Sequence, residues 1–248
     1  RLKKTAKIVF FLTIQIKLTM NIEKNIKTLI VKKPLKLDCG KTIKDFPIAY
    51  ETYGSLNSKK DNAILVFHAL TGDQFVTGIN PITKKEGWWS FAVGPGKAID
   101  TDKYFVICSN VIGGCMGSYG PSHKDPANNN IFGINFPVIT INDIVNAQYN
   151  LLEHFGIDKL FSIAGGSMGG MQVLQFISNF PDKSKTVIPI ATTSNHSAQN
   201  IALNELGRQA ITADNNWKDG NYTSNNTSPG KGLAVARMAA HITYLSKK

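Results

Sequence analysis

Residues 159–180 read "KLFSIAGGSMGGMQVLQFISNF", and the way this stretch changes period decides the fold. Its first half is a short apolar run rich in β-formers. Its second half places Met171, Leu174 and Phe176 near helical spacing and stops before Pro181. Between them stands Gly165-Gly166-Ser167-Met168-Gly169, of the form G-x-S-x-G. A strand that turns this sharply into a helix needs neighbours without Cβ atoms, and it forces the central residue into a strained conformation. The Ser167 hydroxyl then projects over a helix N-terminus, where backbone N–H groups and the helix dipole favour negative charge. This context marks a nucleophile elbow and makes Ser167 the candidate catalytic nucleophile; the plainer alternative is a tight turn with a capping serine.

Working outward, "AILVFHAL" (63–70) and "YFVICSNVIG" (104–113) are continuous apolar runs, as in strands buried on both faces of a parallel sheet. "ITINDIVNAQYNLLEHFGI" (139–157) predicts a helix closed by Gly156, and "KTVIPIAT" (185–192) predicts a further strand. Upstream, residues 27–54 alternate apolar and polar residues, broken by Asp38, Gly40 and Pro47, as an antiparallel edge would. The alternation of strand and helix predicts an α/β domain with a mostly parallel, doubly wound sheet. After Thr192 the pattern turns helical, interrupted by the polar insert "NNWKDGNYTSNNTSPGKG" (215–232), which reads as a surface loop.

Composition narrows the function. The 248 residues carry a net charge of +11, but Arg1, Lys3, Lys4, Lys7 and Lys17 concentrate five positive charges in residues 1–19, and the rest are dispersed without an arginine stripe. Nucleic acid is therefore not an expected partner. Cys39, Cys108 and Cys115 form no CxxC pair, which fits a reducing, cytoplasmic setting; Cys115, in "GGCMGS", is expected to be a small buried thiol. Residues 1–19 have the outline of a secretory signal, but the apolar run is short, Lys17 closes it and no small-residue cleavage site follows. They are expected to be upstream translation without a role in the fold, with Met20 as an ordinary start. No membrane span is expected, and no metal-ligand constellation or dinucleotide fingerprint stands out.

"FHALTG" (67–72) follows the strand expected to be third in the sheet, the position from which this architecture draws a second oxyanion donor. The backbone N–H groups of Leu70 and Met168 are thus the candidate oxyanion hole. His68 precedes the serine, whereas this architecture orders its triad serine, acid, histidine, so His68 is expected to be structural or to line the pocket.

With "FHALTGDQ" (67–74), "GWWSFAVGPGKAIDTDKYFVICSNVIGGCMGSYGPS" (87–122), "FPVITINDIV" (136–145), "AGGSMGGMQVLQF" (164–176) and "LAVARMAAHITYLS" (233–246) assembled, the chain resembles the homoserine O-acetyltransferase family of α/β-hydrolase-fold acyltransferases. The resemblance runs from about Lys27 to the last residue. It implies an α/β-hydrolase core over 20–193 and a partial helical cap over 194–248. It also implies a ping-pong reaction in which Ser167 takes acetyl from the co-substrate acetyl-CoA and passes it to the hydroxyl of L-homoserine, towards methionine, with no cofactor. Arg237 and Tyr244 would then reach the acceptor amino acid, an arginine fork suiting an α-carboxylate; Arg208 is a lesser candidate. A cytoplasmic homodimer is further implied. The family's triad acid and histidine belong to loops after the last two strands, beyond Lys248, so the resemblance implies a chain truncated at its C-terminus. Asp214 or Asp219 with His241 would keep the triad order, though His241 falls within an apparent helix; His123, His154 and His196 read as surface or loop positions. The competing readings are homoserine succinylation or serine acetylation on the same fold, ester hydrolysis, and a non-catalytic protein.

Overall fold

A computed structural model describes residues 26–222 and 225–244; the expected leader, 1–19, lies outside them. Ten strands are formed in this region: β1 (Lys27–Val31), β2 (Leu35–Lys36), β3 (Thr42–Ile43), β4 (Phe46–Tyr53), β5 (Ala63–Phe67), β6 (Val93–Gly94), β7 (Ile99–Asp100), β8 (Phe105–Ser109), β9 (Leu160–Gly166) and β10 (Ser184–Ile190). Four α-helices accompany them: α1 (Ile141–Phe155), α2 (Met168–Asn179), α3 (Ala198–Thr212) and α4 (Gly230–Tyr244). The described residues fall into two compact units, one comprising 26–120 with 137–194, the other comprising 121–136 with the described part of 195–244.

The first unit is built on a six-stranded sheet in the order β1-β4-β8-β5-β9-β10. The continuous apolar runs sit where their composition requires. Every residue of β5 and β8 is buried, and the two pair in parallel at the sheet centre. The alternating segments form the antiparallel side, β1 against β4 and β4 against β8. β9 and β10 extend the parallel side. β10 is one of the two edge strands of this sheet among the described residues, with Val187, Ile188 and Ile190 exposed. Pro189, which has no N–H to give a ladder, is tolerated at such an edge.

The period-2 alternation along β5 divides the core. Phe67 faces α2, its ring 5.9 Å from that of Phe176. Ile64 and Val66 point the other way and join Val106 and Cys108 in a cluster with Val76 and Val93, flanked by Trp88, Trp89 and Ile99. The sheet is therefore covered on both faces, as doubly wound packing requires, but the second layer is the non-helical excursion 68–104 with its short β6–β7 pair. The stacked pair Trp88–Trp89, centroids 5.4 Å apart, supplies there the apolar bulk a helix would otherwise bring.

Local chemistry sets the ends of α1. Thr140 and Asp143 form a reciprocal capping box, and Gly156 closes the helix in the left-handed region at φ 64°. Asp143 is fully buried and also accepts the Asp38 N–H at 2.9 Å, which ties the β2–β3 turn to the helix. α1 and α2 are joined by Asn179, whose side chain donates to Asn142 (2.8 Å) and Asn146 (3.0 Å), and by the stacked rings of Tyr149 and Phe180.

In the second unit α3 and α4 pack together. Asp214, just after α3, accepts the Gly232 N–H at 2.9 Å and anchors the start of α4. No described helix is long and apolar enough to cross a membrane.

Candidate active site

β9 delivers the chain into α2 through Ser167, which adopts φ 56° and ψ −121°. A non-glycine residue in this region carries a strain of about 1–3 kcal/mol. The surroundings hold it there. The Ser167 N–H donates to Ile190 O (3.0 Å), and its carbonyl accepts both the Met171 N–H (3.1 Å) and the Thr192 hydroxyl (2.8 Å). The Ser167 side chain is exposed and makes no capping hydrogen bond, which removes the reading of this residue as a mere helix cap.

Two glycines of the motif are explained by crowding. A Cβ on Gly165 would stand 2.5 Å from the Gly169 carbonyl group, and one on Gly169 would stand 2.1 Å from Phe67 O. Strand β5, strand β9 and the first turn of α2 approach backbone to backbone. That contact sets Met168, at the first position of α2 where an N–H has no intrahelical acceptor, beside the loop that leaves β5. Leu70 lies in that loop, its side chain 70% exposed, and among the described residues no hydrogen bond consumes its N–H. The strand predicted over 63–70 ends at Phe67, so Ala69 and Leu70 belong to a turn closed by the Gly72 N–H on Ala69 O (2.9 Å).

His68 is 1% exposed and fully engaged. Its Nδ1 donates to Ala69 O (2.7 Å), while Nε2 accepts from the Val111 N–H (3.2 Å) and the Asn110 amide (3.3 Å). Burial pushes its pKa below the ordinary imidazole value. The ring is held neutral, with no lone pair left for a substrate proton, as expected of a structural histidine. The other histidine of this unit, His154, lies near the C-terminus of α1 against Tyr50 and Phe155.

Arg237 and Tyr244 both project from α4, seven residues and two helical turns apart, and both are exposed. Arg208, on α3, is ion-paired with Glu205 at 2.6 Å. Asp214 spends its carboxylate on the backbone N–H groups of Asn216 and Gly232, and no hydrogen bond joins it to the exposed His241. Cys115 is exposed, contrary to expectation, because the turn around Gly113 and Gly114 leaves its side chain at the surface while Met116 takes the buried position. Among the described residues no group of three or more His, Cys, Asp or Glu is placed to hold a metal ion.

Gln172 escapes a reading by motif. It is fully buried one turn after Met168, donating through Nε2 to His68 O (3.1 Å) and Met168 O (3.2 Å), and accepting from Gln148 at 3.2 Å. Its only signal in the sequence is an amide among the glycine and apolar residues of "MGGMQVLQF".

This geometry has counterparts in known proteins. Residues 62–247 match the family described as alpha/beta hydrolase fold. Homoserine O-acetyltransferase of Pelagibacter ubique is 73% identical over 228 residues, covering 92% of this chain and 61% of the relative. The enzyme of that name from Nitrobacter hamburgensis is 61% identical over 214 residues, 86% of this chain and 54% of the relative. The chain thus spans little more than half the length of these relatives. Among solved structures, homoserine O-acetyltransferase from Bacillus anthracis superposes with a TM-score of 0.80 at 30% identity, over 88% of this chain and 60% of that one. Esterase E22 superposes at 0.81 and 32% identity, over 90% and 62% respectively. The chain belongs to the alpha/beta hydrolase fold family, within which it is similar over most of its length to the homoserine O-acetyltransferases.

Proposed function

We propose that the protein is an acyltransferase working through an acetyl-Ser167 intermediate, with acetyl-CoA as donor and the hydroxyl of L-homoserine as acceptor. The observation that carries this reading is the Ser167 conformation: a strained, exposed hydroxyl, uncommitted to capping, at the head of α2. In the first half-reaction Oγ attacks the thioester carbonyl as its proton passes to a base. The carbonyl oxygen becomes an oxyanion facing the Leu70 and Met168 N–H groups, and the C–S bond breaks as the departing thiolate takes up a proton. In the second, the homoserine hydroxyl gives up its proton and attacks the acyl-serine, and Ser167 recovers its hydrogen. Arg237 and Tyr244 are assigned to the acceptor, the guanidinium to its α-carboxylate.

Among the described residues neither histidine of the core unit is hydrogen-bonded to Ser167: His68 has both nitrogens engaged, and His154 packs against Tyr50 and Phe155. The similarity to homoserine O-acetyltransferases at 73% and 61% identity favours acetyl transfer over ester hydrolysis. Intact-mass measurement after brief incubation with acetyl-CoA tests the reading. One acetyl group on Ser167, absent from Ser167→Ala and discharged by L-homoserine, is the expected result. An adduct discharged equally fast by water alone would make the protein a hydrolase, and a folded protein that takes up no acetyl would sink the proposal for this chain.

A further inference from the structure

We propose that Gln172 is a positioning residue for acyl transfer, clamping the loop that carries the Leu70 N–H to the helix turn that carries the Met168 N–H. This rests on the acyl-transfer reading above, because it concerns the same oxyanion site.

The clamp answers a local electrostatic problem. Where β5 meets α2, the carbonyl oxygens of Phe67 and His68 lie 2.1 and 3.2 Å from where a Gly169 Cβ would stand. The Met168 carbonyl belongs to the same first turn of the helix. Carbonyl oxygens brought close together repel unless a donor stands between them, and for the His68 and Met168 oxygens the Gln172 Nε2 amide is that donor. It bonds His68 O, two residues before Leu70, and Met168 O, one turn before itself. One NH2 group therefore spans the two segments that supply the candidate oxyanion donors. The His68 ring secures the same loop from its other side through Val111 and Asn110, so the loop is pinned at both carbonyl and side chain.

The arrangement carries one local cost. The chain of amides ends at Gln148, whose Oε1 is buried without a hydrogen-bond partner among the described residues. Such an orphan costs about 1–3 kcal/mol; an apolar pair at the two positions would remove it but leave the His68 carbonyl without its Gln172 donor. What the apolar pair would lose is the fixed separation of two backbone segments, and catalysis by oriented N–H donors depends on that separation to within fractions of an ångström.

The experiment compares the protein as expressed with Gln172→Met, which keeps volume and removes the donor, and with Gln148→Leu, which leaves both carbonyl bonds of Gln172 in place. Two quantities are read: the rate of Ser167 acetylation by acetyl-CoA as a function of its concentration, and amide hydrogen exchange over residues 68–72. For Gln172→Met the limiting rate falls by about 10- to 100-fold with half-saturation within about 3-fold, because ground-state binding is untouched while oxyanion geometry is lost. Exchange over 69–72 accelerates while strand β5 stays protected. Gln148→Leu stays close to wild type in both. Wild-type acetylation and wild-type protection in Gln172→Met would overturn the proposal. A loss of rate matched by a loss of protection across the whole sheet would also overturn it, by showing a structural role only. Should Gln172→Met fail to fold, Gln172→Asn, which withdraws the amide by one methylene, gives the same readouts. If the wild-type protein itself takes up no acetyl, acyl transfer fails as a reading, and exchange over 69–72 alone decides whether Gln172 holds the loop.

Discussion

The Phe67 carbonyl oxygen lies 2.1 Å from the point where a Cβ would stand on Gly169, so the backbones of β5 and α2 touch with nothing between them. Gly169→Ala must push the helix off the strand. The expected cost is about 1–3 kcal/mol or more from overpacking, together with loss of Ser167 acetylation, because the elbow moves with the helix. Gly166 is the contrast within the same motif. The nearest atom to a Cβ there is Ile190 O at 3.9 Å, so Gly166→Ala should fold with a melting temperature near that of the wild type. Thermal unfolding of the two variants side by side checks the distinction.

Ser167 stores strain that only its function explains. At φ 56° a glycine would sit without penalty, so Ser167→Gly should stabilise the protein by about 1 kcal/mol while abolishing the acetyl adduct. For a chain of this size that corresponds to roughly 2–4 °C in Tm. Ser167→Ala removes the hydroxyl and retains the strain, so it should lose the adduct without the gain in Tm. Equal melting temperatures for the two variants would show that the elbow is not strained in solution.

How much of this was legible in the sequence follows from what each signal depends on. The elbow, the two central strands and helices α1 and α2 rest on local features: apolar runs, a 3.6-residue period, Gly156 as a stop, and a serine among glycines. These survive folding because the chain segments around them reinforce the same choice. The layer covering the second face of the sheet was not legible, because it is irregular backbone held by Trp88, Trp89 and the short β6–β7 pair, and none of these has a period. Gln172 was invisible for a related reason: its two carbonyl acceptors, one of them 104 residues away at His68, become neighbours only when β5 and β9 pair. Exposure of Cys115 likewise turns on the path of one turn.

Tyr53 gives a test of that irregular layer. Its hydroxyl accepts the N–H of the buried Val76 at 3.0 Å and donates to Gln74 O at 3.4 Å, so one phenol on β4 satisfies the backbone where the excursion begins. Burial raises its pKa far above that of a free phenol, and the hydroxyl stays protonated throughout the physiological range. Tyr53→Phe leaves the Val76 N–H with the Gln74 carbonyl, at 3.1 Å, as its one remaining acceptor and should cost about 0.5–1.5 kcal/mol. Chemical denaturation should show a lower midpoint at an unchanged slope, because the variant alters the folded state and not the surface exposed on unfolding.

His68 makes the stability of the protein depend on pH, and the direction follows from its surroundings. The ring is buried, and its Nε2 already accepts two donors, the Val111 N–H and the Asn110 amide, so a proton there would face both. The folded-state pKa is therefore held below the ordinary imidazole value of about 6.5, with burial the main cause. Below about 6.5 the unfolded chain binds a proton that the folded chain refuses. Stability from this group is thus fully present above pH 6.5 and is lost progressively as pH falls toward the depressed folded value. The urea midpoint of the wild-type protein should drop between pH 7.5 and pH 5.5. His68→Gln should begin with a lower midpoint, because the Val111 N–H loses its ring acceptor, and its midpoint should fall less over the same interval. Parallel pH dependence in the two proteins would mean that His68 accepts its proton in the folded state, and the ring would then return as a candidate base for Ser167.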